Sequence, residues 1–188
     1  MVAIEMPLLE AVSEANKNYV AYFEKRLGHI PNLFLSMMHS THAFGNYHHF
    51  QGRKTSLSLR EREVVSLVLA QCNGSLYCLS AHTMIAKLNG FSDKEVMQLR
   101  QGKADFDPKL NALAQLVKAM AEKRGHHIAV ELDSFFDSGY TNEQLIDLLH
   151  TIGENYISNL TAKTLKVPID FPLAPALDKE NNDDCKER

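Results

Sequence analysis

The stretch that decides the reading of this chain is Leu57-Ser58-Leu59-Arg60-Glu61-Arg62-Glu63-Val64-Val65-Ser66-Leu67-Val68-Leu69-Ala70-Gln71-Cys72, then Asn73-Gly74, then Ser75-Leu76-Tyr77-Cys78-Leu79-Ser80-Ala81-His82. Ser58 followed three residues later by Glu61 is a capping box, so a helix opens near Arg60 and runs to about Gln71. Its inner face is Val64, Val65, Leu67, Val68 and Leu69. Asn73-Gly74 breaks it, and Ser75 stands where the N-cap of a second helix belongs. That helix runs through Cys78 and His82 to Asn89 and stops at Gly90. Folded into a hairpin, the pair would carry Glu63 back toward Cys78 and His82.

These residue types suit thiol redox chemistry. Cys78 and His82 are four apart on one helix, so their side chains are neighbours, with Cβ atoms roughly 5 to 6 Å apart. In the first turn of its helix Cys78 should feel unpaired backbone N–H groups and the positive end of the dipole, which predicts a lowered thiol pKa. A peroxide reduction needs a thiolate to attack the O–O bond and an acid for the departing alkoxide; Cys78 and the His82/Glu63 pair fit those roles. Taken singly, each has a plainer reading: a buried cysteine is usually packing, His82 suits a core boundary, and Glu63 suits a charged helix face.

Working outward, apolar residues recur at three and four with few alternating runs, which predicts an all-α fold. A first helix is expected from about Leu8 to Leu27, ended by Gly28, and Pro31 opens a short second one. Thr41 is the expected cap of a third reaching about Thr55. Beyond Gly90, a capping box at Ser92–Glu95 starts a short helix ending near Gly102. Asp107-Pro108 opens a longer one ending near Gly125, with a short piece at about Val130 to Phe136. The last helix should run from Thr141 to about Leu165 on the spacing of Leu145, Leu148, Leu149, Ile152, Tyr156 and Leu160. A single domain over residues 1–170 and a polar, mobile tail over 171–188 complete the expectation.

Composition fits that domain: 188 residues, 45% hydrophobic, net charge −3. Lysines and arginines are scattered among acids, so no basic face suggests nucleic acid or anionic lipid. The N-terminus lacks a signal-peptide pattern and no apolar run suits a bilayer, which points to a cytoplasmic protein. Three cysteines, Cys72, Cys78 and Cys185, are too few for a disulfide scaffold. Cys72 reads as structural, at the end of its helix. His39, His42, His48, His49, His126 and His127 form no ligand set at zinc spacing, so neither metal nor cofactor is expected. Tyr22, Phe23, Phe34, Phe44 and Phe50 read as core or interface aromatics, or as the lining of a pocket above the thiol.

The chain resembles the carboxymuconolactone decarboxylase and alkylhydroperoxidase D superfamily, in particular its peroxidase-related branch. The resemblance rests on Ile30-Pro-Asn-Leu-Phe34, Leu57-Ser-Leu-Arg-Glu-Arg-Glu63, Tyr77-Cys78, Ala81-His82, Phe106-Asp-Pro-Lys-Leu110 and Gly139-Tyr-Thr-Asn-Glu-Gln144. The family pattern is a Glu, a Cys-x-x-Cys and a His four residues on. Glu63, Cys78 and His82 match it, while Ser75 replaces the first cysteine. The resemblance implies a helical homo-oligomer and a thiol peroxidase in which Cys78 attacks peroxide and His82 and Glu63 relay protons. The cysteine replaced by Ser75 is normally the disulfide partner of the one at Cys78. Cys72 lies six residues away, about 9 Å along a continuous helix and beyond the roughly 7 Å reach of a disulfide, so only the break at Asn73-Gly74 would bring that pair together. Cys185, on a flexible tail, is a second candidate that could reach the site in its own or a neighbouring subunit, though exposed, acidic surroundings argue against tuned chemistry there. The preferred expectation is a one-cysteine cycle with an external thiol or redox protein as reductant and the Ser75 hydroxyl donating to the thiolate. The alternatives are a lyase acting on a small carboxylate through His82 and Glu63, and a non-catalytic helical oligomer that senses oxidant or binds a ligand.

Overall fold

The computed structural model describes residues 4–177, and every regular element among them is helical. After a 3-10 turn at Leu9–Ala11 come α1 (Glu14–Leu27), α2 (Asn32–Met37), α3 (Ala43–Gln51), α4 (Leu59–Cys72), α5 (Leu76–Leu88), α6 (Asp93–Arg100), α7 (Pro108–Lys123), α8 (Ala129–Asp137) and α9 (Asn142–Thr164). The middle of the molecule is α4. Val64, Val65, Leu67, Val68, Leu69 and Ala70 are all fully buried, so the middle turns of this helix are enclosed on every side. It packs against α5, α6, α7 and α9.

Local chemistry sets the helix ends. Ser58 and Glu61 form the expected capping box, as do Ser92 with Glu95 and Thr141 with Gln144. Between α4 and α5, Gly74 adopts φ +61° and the Ser75 N–H donates to Ala70 O at 2.9 Å, the glycine-closed helix ending that lets α5 fold back along α4. Two starts differ from expectation. The first helix begins at Glu14 because Val12 is extended and buried, which breaks the run from Leu8. The third begins at Ala43, its N–H bound by Ser40 Oγ rather than by Thr41, and it ends at Gln51 before Gly52.

The last helix departs most from its apolar spacing. It turns Thr151, Glu154, Asn155, Ser158 and Asn159 inward and leaves Leu149, Tyr156 and Leu160 exposed. Of the spaced apolar set, only Leu148 is fully buried. The physical reason lies inside, where Thr151 and Glu154 meet Arg53 and Arg62, and Asn159 meets Asn73.

The segment after α9 also differs from the expected loose tail. Ala174 is buried and its N–H donates to Ser80 Oγ, while Arg100 Nη1 donates to Pro175 O at 2.7 Å. Residues 171–177 therefore belong to the packed domain as a strap. Cys185 and the rest of the tail lie outside the described residues.

Candidate active site

The hairpin brings the three expected residues to one place. Glu63, from the second turn of α4, accepts a hydrogen bond from His82 Nδ1 on α5, 2.9 Å away. Cys78, one turn before His82, is 2% exposed. Cys78 and His82 line one cavity of about 150 Å³ with Leu33, Phe34, Tyr77 and Phe171. Its remaining wall includes Tyr47, Gln51, Ile85 and Ser158. Nδ1 is committed to Glu63, so Nε2 is the nitrogen with which the imidazole can serve a molecule in the cavity.

Burial pushes the Cys78 thiol up from its ordinary pKa, opposite to the expectation drawn from the helix start. Ser75, Ser158 and Asn159 favour the thiolate but do not overcome desolvation. Ser75 occupies the N-cap position without capping: its side chain bonds no backbone N–H. It is 1% exposed and its Oγ has no hydrogen-bond partner at rest, a donor left for the sulfur once the proton leaves. The resting thiol is therefore protonated and quiet. Alkylation of Cys78 by iodoacetamide should rise with pH through a midpoint above the ~8.5 of a free thiol. A rate already flat by neutral pH would contradict the desolvated site.

For His82, burial disfavours the imidazolium, but the Glu63 charge and hydrogen bond outweigh it and the pKa ends raised. Glu154 adds to that pull, and Arg62 opposes it. Sequence reading missed this second tier. Glu154, buried on α9, accepts from Arg53 at 2.7 Å and pairs with Arg62 at 3.4 Å; Arg53 also reaches Thr151 at 3.0 Å. The inward polar run Thr151-x-x-Glu154-Asn155-x-x-Ser158-Asn159 was its visible signal.

A roof covers the cavity. Leu33 N–H donates to the Tyr77 hydroxyl at 3.1 Å, Asn32 N–H to Asp170 at 2.7 Å and Asn32 Nδ2 to Pro168 O at 3.0 Å. The Tyr77 ring meets Phe171 edge-on at 5.6 Å. The Pro31–Phe34 segment thus gains a physical role, closing the site together with the strap. Phe34 alone of the five singled-out aromatics lines the cavity; Phe23 and Phe44 pack beside it in the core. Tyr22 is exposed against Phe23, and Phe50 lies under Arg53. Cys72 is partly buried at the end of α4. Among the described residues, no three His, Cys, Asp or Glu side chains gather as a metal site, and no helix is long and apolar enough to cross a membrane.

Residues 39–122 match the model of the carboxymuconolactone decarboxylase family, a span that holds Glu63, Ser75, Cys78 and His82. Among solved structures, the chain is similar to the alkylhydroperoxidase core of a peroxidase-related protein from Ralstonia eutropha JMP134, at 20% identity and a TM-score of 0.80, covering 89% of this chain and 92% of that one. It is similar to a peroxidase-related protein from Silicibacter sp. TM1040 at 15% identity and a TM-score of 0.78, over 98% and 95%. It also resembles the debrominase Bmp8, solved as a cysteine-to-alanine variant with 2,3,4-tribromopyrrole, at 18% identity and a TM-score of 0.73, over 90% and 93%. A search of curated proteins gives no match. At these identities the structural likeness is one of fold.

Proposed function

We propose that this chain, with its alkylhydroperoxidase D-like fold and family-matched segment at residues 39–122, is a thiol-dependent peroxidase for small organic hydroperoxides. The observation that carries the reading is a thiol and a carboxylate-held imidazole on one small, mostly apolar cavity. A hydroperoxide's carbon chain lies against Leu33, Phe34, Ile85 and Phe171. Cys78 sulfur attacks the outer peroxide oxygen, an S–O bond forms and the O–O bond breaks. The thiol proton passes to His82, held as a base by Glu63, and then to the departing alkoxide. The products are an alcohol and a Cys78 sulfenic acid.

Ser75 gives Cys78 no neighbouring thiol at that position, so an external thiol completes the cycle. It condenses with the sulfenic acid, releasing water and leaving a mixed disulfide. A second thiol then breaks that disulfide and restores Cys78. The test is to treat the protein with cumene hydroperoxide, trap with dimedone and map the adduct by mass spectrometry. The adduct is expected on Cys78, with consumption catalytic only when thiol is supplied. Consumption without thiol, or an intramolecular disulfide to Cys72 or Cys185, would reject the cycle.

The aromatic lining of Phe34, Tyr47, Tyr77 and Phe171 favours one second reading, thiol-driven removal of halogen from a small aromatic ring. There Cys78 sulfur takes the halogen as the carbon–halogen bond breaks, and His82 protonates the ring carbon. External thiol then reduces the sulfenyl halide and frees halide ion. Halide release from a bromopyrrole distinguishes this reading from the first.

A further inference from the structure

Tyr77 lines two hollows. One is the thiol's cavity, and the other, of about 290 Å³, opens at the start of α5. Residues Gly74 to Tyr77 line this second pocket together with Lys163, in the last turn of α9, and Lys166 just past it.

Three kinds of donor converge there. The N–H groups of Leu76 and Tyr77, first in α5, have no carbonyl of that helix to bond, and the Ser75 side chain leaves them uncapped. Lys163 Nζ stands 4.0 Å from the place a Cβ on Gly74 would take, and it donates to Asn73 O, which commits only part of the ammonium. Lys166 adds a second, exposed ammonium to the same lining. Ser75 is the decisive member. It is 1% exposed, it lines this pocket and not the thiol's cavity, and its Oγ bonds nothing. A buried hydroxyl without a partner costs free energy until an acceptor arrives.

Positive charge, open N–H groups and an unanswered hydroxyl are the complement of an oxyanion. None of the lining residues is acidic. Asp170, next in the chain to Ile169, is engaged by Asn32 N–H at 2.7 Å. The donors also select among oxyanions. Two ammonium groups balance a dianion, and with a hydroxyl and two N–H groups they suit three terminal oxygens better than the two of a carboxylate. The volume leaves room for an organic group on the fourth oxygen.

We propose that this pocket binds the phosphate group of a small phosphate monoester, held by Lys163, Lys166, the Leu76 and Tyr77 N–H groups and the Ser75 hydroxyl. The site stands independently of peroxide chemistry, yet it touches the thiol through Ser75. That hydroxyl has one proton to give, and given to phosphate it no longer steadies the Cys78 thiolate. A bound phosphate therefore holds the thiol in its quiet, protonated form.

Titration of the nitrogen-15-labelled full chain with inorganic phosphate, chloride holding the ionic strength constant, should shift the Leu76 and Tyr77 amide signals saturably. Acetate, with fewer oxygens and less charge, should bind about tenfold more weakly. Lys166→Gln should weaken phosphate binding by about the same factor with an unchanged circular dichroism spectrum. Lys163→Gln added to it should weaken binding further. Iodoacetamide alkylation of Cys78, mapped by mass spectrometry with Cys185 as the reference thiol, should slow as phosphate saturates. No reading here uses peroxide, so each stands or falls apart from turnover. Amide shifts that do not saturate, a Lys166→Gln chain that binds phosphate as wild type does, or acetate bound as tightly as phosphate overturns the proposal. So does a Cys78 alkylation rate that phosphate leaves unchanged or slows no more than that of Cys185.

Discussion

Cys78→Ser is expected to remove hydroperoxide turnover by roughly 10³-fold or more, the scale on which losing a covalent nucleophile shows. The substitution isolates chemistry from architecture. Serine is close to cysteine in volume, and the groups facing the sulfur, Ser75, Ser158 and Asn159, can hydrogen-bond a hydroxyl as readily as a thiol. The thermal midpoint should therefore move little while the dimedone adduct disappears. Initial rates with cumene hydroperoxide and excess dithiothreitol measure it. Retention of a tenth of the rate would move the reactive centre away from Cys78 and end the peroxidase reading. Ser75→Ala is the informative companion. It deletes the donor without a resting partner, so it should slow the attack while leaving the fold intact.

Glu63→Gln is the second large effect, and its sign follows from which influence on His82 is left. The amide still reaches Nδ1 but carries no charge, so desolvation prevails and the imidazole pKa falls. A weaker base beside a thiol that is already hard to ionise should cost about 10²- to 10⁴-fold in kcat. KM should scarcely change, because Glu63 is not among the cavity's lining residues. Stability shifts in the same variant. In the native protein the raised His82 pKa contributes stability that is full below about 6.5 and is lost as pH rises through the folded value. Glu63→Gln should flatten that stretch of the stability–pH curve. Histidine proton NMR reads the first point and thermal unfolding across pH the second, and a His82 titration that the variant leaves unmoved would break the assigned relay.

The hairpin was legible because its information is local. A capping box, a glycine break and a Cys and His four apart are all read within 26 residues, Leu57 to His82. The sign of the Cys78 shift was not legible for the same reason. The helix-start argument considers one helix, whereas desolvation comes from Tyr47, Phe34 and α9, brought in from distant parts of the chain. The ion-pair tier of Arg53, Arg62 and Glu154 joins residues 92 and 101 apart, beyond any periodicity. The last helix misled most instructively. Apolar spacing identifies a helix and its stripe but not which side is inside, and here the core-facing side is polar because it serves the site. The strap at 171–177 shows the same limit, since its hold depends on Arg100 and Ser80, far upstream.

The clasp between Asn32 and Asp170 spans 138 residues. During synthesis from the N-terminus, the helices that build the cavity emerge before the strap that roofs it. For that interval the cavity lacks its Phe171 wall and the hold of Asp170 on Asn32. Closure of the roof is thus a late step in assembly, one that waits on residues near both ends of the described chain.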